Sequence, residues 1–404
     1  MLSKLKNEGK SFLECVSKSN EVFFFSLFCL YVISNVVGLV NWRSDISHYA
    51  GKAHFFMFAA VMWGSAILLF SIIVEWRNAW KRTGELILIG VLVFALAGII
   101  SKLVTSDSYA FVMGAFFCIM ACGKKYKKIL MTFLIIITAT LIIAYICMKF
   151  GITFDAVKPY RVYGGHSLGI KYPNDWGYFV FNIMMIIWYM ILRRKKIVTV
   201  IVFWAVSIFM YKYITCQTIA LMAFLFPGVA IIAELFQDKY SENYNRFLNR
   251  IIIFLPWIIM AVMLIGCWQM DWIHKTFYDT RLESMAMRFV EGGYFLLNNK
   301  VTLFGSPFNQ WNKSLVDYSS DIDMIVDSAF ICYLIIRGIV AMVLTLGWIS
   351  YAHKRCLERR DYRLIGISFF MLLFSMMERP GLDAWYNFVL LYPLSRIPDS
   401  KQVI

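Results

Sequence analysis

The sequence is poor in charge for its length. Charged residues make up 16% of the chain, whereas apolar residues make up 60%, against about 45–50% in soluble globular domains. A chain this apolar cannot hide its nonpolar surface in one aqueous core. The composition therefore excludes an ordinary soluble domain.

Motifs for metal, nucleotide and nucleophile chemistry are also missing. The chain has no glycine-rich phosphate loop, no HExxH motif and no nucleophile elbow, and its nine cysteines show no CxxC pair, zinc spacing or disulfide framework. Residues 1–20 are polar, and no small-residue cleavage site follows the first apolar run, so we expect the first span to remain as an anchor. These absences favour a reaction without metal or cofactor, or no reaction.

Long apolar runs recur along the whole chain, many of them near the ~20 residues that a helix needs to cross a bilayer. They predict an all-α, polytopic integral membrane protein with about twelve transmembrane helices in a single transmembrane domain, residues 1–404. The predicted spans are 21–40, 54–74, 84–103, 108–122, 129–148, 175–192, 197–213, 217–235, 251–270, 326–350, 364–377 and 381–394.

The lysine and arginine residues responsible for the net charge of +15 lie at positions that indicate the membrane topology. Lysine and arginine form short clusters between apolar runs instead of one basic face, so no nucleic-acid partner is expected. With the N-terminus in the cytoplasm, the inner segments collect 25 of the 40 basic residues, as the positive-inside rule requires. We therefore expect both termini to be cytoplasmic, and two loops too long to be simple connectors, 149–174 and 271–325, to face outward.

The first outer loop brings together residue types that could bind a sugar on an anionic lipid. Arg161 is a cation, His166 can carry a proton near neutral pH, and Asn174 is an amide, all within fourteen residues. The alternative is a plain re-entry loop, in which Asn174 and Asp175 cap the sixth span.

The second outer loop contains a helix-like stretch near 279–298. Arg281 and Arg288 fall on one face of it and could clamp a diphosphate, because guanidinium groups match phosphate oxygens in pairs. The alternative is pairing with the nearby Glu283 and Glu291.

Asp327 and Arg337 stand out because they fall in the apolar tenth span, where ionisable groups are costly and need partners. Ten residues of helix separate them by roughly 15 Å, so each is expected to have its own partner. Glu378, at the outer end of the eleventh span, is a candidate to approach them.

Three stretches resemble a known family. Ser167-Leu-Gly-Ile-Lys-Tyr-Pro-Asn174 resembles an SLGF-x-x-PN stretch, the loop ending in Leu303-Phe-Gly305 resembles an arginine-bearing loop with a Leu-Phe-Gly turn, and Val326-Asp327-Ser-Ala-Phe330, followed by Gly338, resembles a D-N-x-Y segment. In this order they resemble the Wzy-type polymerases of bacterial capsule, exopolysaccharide and O-antigen synthesis, which are related to the O-antigen ligases. Ser328 replaces the asparagine of the third motif. The histidine of the ligases is absent, with Asp327 nearest its place, which favours polymerase over ligase.

The resemblance implies a metal-independent, inverting glycosyltransferase of the bacterial cytoplasmic membrane. It would join oligosaccharide repeat units carried on undecaprenyl diphosphate at the outer face of the bilayer, beside a chain-length regulator and a flippase of the same pathway. Arg281 and Arg288 would hold the departing diphosphate, and Asp327 is the preferred base, with His166 second. Binding roles fall to Arg161, Asn174, Arg337 and Glu378. The alternatives are a ligase-like glycan transferase and a transporter of lipid-linked oligosaccharides.

The predicted topology can be tested by cysteine labelling on intact cells. Single cysteines replace Lys195 and Gln310 in a cysteine-free background. A membrane-impermeant reagent should label position 310 and not position 195, because the basic loop lies inside. The opposite pattern would overturn the scheme.

Overall fold

The structure is a computed structural model that describes residues 2–77, 110–155, 166–192, 195–214, 216–239, 246–277, 280, 283–306 and 327–396. Within these ranges the chain forms helices joined by loops, and its β-type pairing is limited to isolated bridges. The helices are α1 (Leu2–Leu39), α2 (Ser44–Arg77), α3 (Ala110–Met120), α4 (Tyr126–Lys149), α5 (Pro173–Met190), α6 (Lys196–Phe209), α7 (Gln217–Lys239), α8 (Arg246–Trp268), α9 (Met270–Phe277), α10 (Glu283–Asn298), α11 (Ala329–Cys332), α12 (Gly338–Glu358) and α13 (Tyr362–Met377).

Seven described helical segments are long and apolar enough to cross a membrane. They are Asn20–Leu39, Ser44–Leu68, Tyr126–Lys149, Lys196–Ile214, Gln217–Leu235, Phe247–Trp268 and Ala329–Glu358. The prediction of an all-α, multi-pass membrane protein is therefore confirmed. The total of twelve spans stays a prediction.

Several predicted spans differ from the helices observed. The third predicted span, 84–103, lies outside the described residues. The fourth, 108–122, corresponds to α3, which is shorter and has 11 residues. The prediction of a helix over 381–394 was wrong, because this stretch contains only two short 3-10 turns, Arg379–Leu382 and Phe388–Leu391. Its apolar composition reflects burial inside the protein, not contact with lipid.

Contacts between helices show which helix termini lie at the same end of the bundle. At one end, which we call the basic end, Tyr189 Oη donates to Asp361 Oδ2 over 2.7 Å, and the backbone amide of Arg396 donates to the Lys124 carbonyl over 2.7 Å. At the other, the loop end, the Asn174 amide donates to Glu378 Oε1 over 2.8 Å. The basic clusters thus share one end, and which side of the membrane it faces stays a prediction.

The chain after α13 returns through the bundle as a non-helical segment, residues 378–396, from the loop end to the basic end. Non-helical backbone is tolerated at membrane depth only where the protein itself satisfies its polar groups. Here tyrosine, tryptophan and asparagine side chains of the surrounding helices donate to its carbonyls. The pairs are Tyr333 Oη to Leu382 (3.1 Å), Tyr178 Oη and Asn182 Nδ2 to Tyr386 (3.1 and 3.2 Å), Trp348 Nε1 to Leu390 (2.8 Å) and Tyr126 Oη to Phe388 (3.4 Å).

The tenth predicted span is interrupted. A π-helical turn, Tyr333–Arg337, separates α11 from α12, and Gly338 adopts a positive φ of 86°. Asp327 was predicted to lie inside this span, but helix α11 begins only at Ala329, so Asp327 precedes it. The break lets the chain reach the loop end with polar residues that a lipid-facing helix could not carry.

The turn Leu303-Phe-Gly305 docks on this break. Backbone amides of Ile339 and Val340 at the start of α12 donate to the carbonyls of Thr302 and Leu303, each over 3.0 Å. The second outer loop thereby satisfies amide groups that the first turn of a helix leaves without intrahelical partners. Two of the motifs behind the family resemblance are therefore in direct contact.

The close approach requires glycine. A Cβ added at Gly338 would lie 2.4 Å from the Leu303 carbonyl oxygen, and one added at Gly305, where φ is 95°, would lie 1.9 Å from the Ile336 carbonyl oxygen. Neither neighbour can yield, since both are backbone atoms.

Gly338→Ala should therefore destabilise the protein. The left-handed backbone alone costs about 1–3 kcal/mol for a residue with a Cβ, and displacement of the docked turn adds to it. Thermal unfolding of the purified protein in detergent measures the loss. The matched control is Gly347→Ala in the same helix, where nothing lies within 4 Å of the new Cβ, and stability should hold or rise. Equal unfolding midpoints for the two variants would contradict the docking role.

Candidate functional site

A cluster of ionisable side chains gathers at the loop end, where α10, the start of α11 and the end of α13 meet. Arg288 Nη1 forms ion pairs with Asp327 and with Glu291, the latter at 3.1 Å. Arg288 and Glu291 are largely buried, with side chains 15% and 14% exposed. Burial would lower the pKa of Arg288, but Asp327 and Glu291 raise it above its ordinary value, so the guanidinium keeps its charge.

The pairing leaves the Nε atom of Arg288 unused. Both carboxylates contact Nη1, while Nε is buried with no hydrogen-bond partner in the described part of the chain. The hydroxyl of Ser328, next to Asp327, is likewise buried and unsatisfied. Buried donors without partners are uncommon and call for an explanation, such as a ligand or an ordered water. The internal pairing considered for Arg288 is thus present, and it occupies only part of the guanidinium.

Glu378 joins the cluster from the non-helical segment. Its carboxyl accepts from Asn174, whose own amide oxygen accepts from the Cys216 thiol over 3.0 Å. The expectation that Asn174 and Asp175 cap the sixth span was wrong, since α5 begins with Tyr172 at the N-cap and has no side-chain cap. Pro173 occupies the first turn, and the two polar side chains reach across the bundle, Asp175 accepting from Tyr386 Oη over 3.0 Å.

Two carboxyl groups of this cluster hold protons unusually tightly. Burial, reinforced by the negative charge of Asp327, raises the pKa of Glu378 to about 8, although Arg288 and Asn174 oppose it. Burial also raises the pKa of Glu291 to about 7, against the effect of Arg288. Neutral carboxyl groups reduce the negative charge around Arg288, and a neutral carboxyl can donate a hydrogen bond to an anion.

Arg337 belongs to a separate buried pair. Its Nη1 donates to Asp383 Oδ1 over 2.8 Å, and its guanidinium lies 3.9 Å from the centre of the Tyr333 ring. Tyr333 also donates to Asp383. As the sequence predicted, Asp327 and Arg337 do not pair with each other and each has its own partner. The structure places Arg337 beside the non-helical segment rather than in the Arg288 cluster.

His166 lies in the first outer loop, apart from these pairs. Its Nδ1 is 2.6 Å from Asp155 Oδ2, and its ring stacks on Tyr213 with the centroids 4.7 Å apart. Arg161 and Arg281, the other two residues predicted for the site, lie outside the described residues.

Sequence reasoning missed Asp155 and Asp383 as partners. Asp383 falls in a stretch that was read as a transmembrane span, and a carboxylate within an apolar run was a usable signal. Asp155 stands alone in a long loop and carries no such signal.

No protein-family model matches this sequence, and comparison with curated proteins and with solved structures likewise finds no match.

The protonated carboxyls predict a loss of stability at high pH. A carboxyl whose pKa is higher in the folded protein stabilises the fold below its unfolded pKa, and this contribution disappears as the pH rises through the folded value. The midpoint of thermal unfolding should therefore fall as the pH rises from about 4.5, the ordinary pKa of a glutamate, to about 8, the folded pKa of Glu378, and should level off above it. Glu378→Gln keeps a neutral acceptor for Asn174 and should flatten this dependence.

The control for this measurement is Glu358→Gln, which alters a carboxylate paired with Arg355 near the surface of the basic end. Its pH dependence should match that of the wild-type protein. A Glu378→Gln profile as steep as the wild-type profile would show that Glu378 is already ionised in the folded protein.

Proposed function

We propose that this protein is a polysaccharide polymerase, which joins undecaprenyl-diphosphate-linked oligosaccharide repeat units at the outer face of the bacterial cytoplasmic membrane. The observation that supports the proposal most is the buried Nε of Arg288, which has no hydrogen-bond partner among the described residues although it lies in a cluster of carboxyls at the loop end. The resemblance of three sequence stretches to Wzy-type polymerases supplies the substrate class.

The reaction needs stabilisation of a departing diphosphate. The Nε and Nη2 atoms form the fork with which a guanidinium binds two oxygens of one phosphate. Asp327 and Glu291 hold the guanidinium by its Nη1 atom, so it is positioned before a ligand arrives. Such preorganised charges stabilise charge that develops in the transition state. Neutral Glu378 adds a donor without repelling the anion. Attack opposite the diphosphate inverts the anomeric centre.

A transporter of lipid-linked oligosaccharides is the second candidate, because the structure has a feature typical of that class. Transporters bind substrates where membrane helices are interrupted, and both the break at Gly338 and the non-helical segment 378–396 are interruptions of this kind. Purified protein given lipid-linked repeat units separates the candidates. Chain growth in detergent supports the polymerase, whereas translocation into liposomes without growth supports the transporter.

Arg288 is the residue on which the polymerase proposal makes its sharpest prediction. Arg288→Ala should reduce polymer formation by about 10²–10³ at matched membrane levels, as when one donor is lost from a preorganised anion site. Arg288→Lys should restore activity only in part, because an ammonium keeps the charge but loses the fork. Polymer length and amount after incubation with lipid-linked units give the measurement.

Two controls separate chemistry from folding. Arg43→Ala removes an exposed arginine of the loop end that pairs with Asp45 over 2.7 Å, and such surface pairs contribute about 0–1 kcal/mol, so activity should persist. The double variant Arg288→Gln with Asp327→Asn removes both charges of the buried pair and should remain folded yet inactive. Near-wild-type polymer from Arg288→Ala and from the double variant would eliminate the diphosphate role.

A further inference from the structure

The first outer loop contains an aspartate–histidine pair with the geometry of a proton-transfer device. Asp155 Oδ2 lies 2.6 Å from His166 Nδ1. When an imidazole donates its Nδ1 proton to a carboxylate, the Nε2 atom is left as a proton acceptor. His166 is a third exposed, and its Nε2 has no hydrogen-bond partner in the part of the chain that the structure describes.

The backbone fixes the carboxylate of this pair. Asp155 Oδ1 accepts from the amides of Ser167 and Leu168, over 2.7 and 3.0 Å. Leu168 has a positive φ of 49°, which is uncommon for a residue with a Cβ. Partial burial raises the pKa of Asp155, but the bonds from His166 and these amides outweigh it and hold the pKa below its ordinary value. The carboxylate therefore stays ionised and can stabilise a protonated imidazole.

Tyr213 fixes the plane of the imidazole. The two rings stack with an interplanar angle of 18°, and the His166 amide donates to the Tyr213 carbonyl over 3.4 Å. Both the orientation of the ring and the identity of its free nitrogen are thus determined. A histidine that only filled space would need neither constraint.

The pair lies at the loop end, as the Arg288 cluster does. Tyr213 holds His166, and Cys216, three residues later, holds Asn174, which binds Glu378. The Asp155–His166 pair and the Arg288 cluster are therefore connected through one run of contacts at the loop end.

We propose that His166 is the general base of the reaction, that Asp155 is its positioning residue, and that Asp327 serves as the counter-ion of Arg288. This assignment rests on the proposed polymerase function and reverses the preference for Asp327 drawn from the sequence. Asp327 is held by an arginine, which makes a carboxylate a weaker proton acceptor. The free nitrogen of His166 has no such competitor.

The step balances without a further reactant. His166 Nε2 takes the proton of the acceptor sugar hydroxyl as that oxygen bonds to the anomeric carbon of the donor. The bond from this carbon to the diphosphate oxygen breaks, and its electron pair leaves with the lipid diphosphate. The imidazolium then releases its proton to water.

Chemical rescue tests the proposal. His166→Ala should lower kcat by about 10²–10⁴, the usual contribution of a general base, with little change in the KM for the lipid-linked donor. Added imidazole should restore part of this kcat by entering the space left by the side chain. His166→Gln fills that space and should be slow with or without imidazole. Asp155→Asn should also lower kcat.

The control is His48→Gln, which changes an exposed histidine of the loop end and should leave kcat unchanged. A wild-type kcat in His166→Ala, or a loss that imidazole does not restore at wild-type thermal stability, would overturn the assignment. Should His166→Ala fail to fold, a wild-type kcat in Asp155→Asn overturns it equally. If the wild-type protein itself forms no polymer, the proposed function fails, and the base assignment fails with it.

Discussion

The fold depends on the hydrogen bonding of one non-helical segment inside the bundle. Residues 378–396 satisfy only part of their carbonyls with internal hydrogen bonds, and lipid offers no donors for the rest. Aromatic and amide side chains on α4, α5, α12 and the π-helical turn supply them. An unsatisfied buried carbonyl costs about 1–3 kcal/mol, so the positions of these four elements are tied to the path of the segment.

This segment also builds the candidate site. It begins at Glu378, which meets Asn174 and the Arg288 cluster at the loop end, and a few residues later it presents Asp383 to Arg337. Glu378 is thus brought to an amide and Asp383 to a guanidinium, and both partners precede the segment in the chain. The break at Gly338 complements the arrangement, because it leaves room for the docked Leu303-Phe-Gly305 turn. Site and fold therefore share the same irregular backbone.

The parts of this structure that follow a single physical rule could be predicted from the sequence. Apolar runs gave helices close to their observed bounds, such as α4 and α7, because lipid imposes length and composition directly. The rise of a helix was enough to show that Asp327 and Arg337 need separate partners. The run 381–394 was misread because burial in protein and burial in lipid demand the same residue types. The turn of Asn174 toward Glu378, and the Asp155–His166 pair, depend on contacts between distant parts of the chain that no local pattern encodes.

The dependence of the non-helical segment on its neighbours has a consequence for biogenesis. A segment that satisfies only part of its backbone internally cannot partition into the bilayer on its own as a helix does, so it can enter only a bundle that is already assembled. Its donors, Tyr126, Tyr178, Asn182, Tyr333 and Trp348, all precede it in the sequence. During synthesis from the N-terminus, every partner has therefore left the ribosome before the segment does. The hydrogen-bond donors are thus translated before the segment whose carbonyls they satisfy.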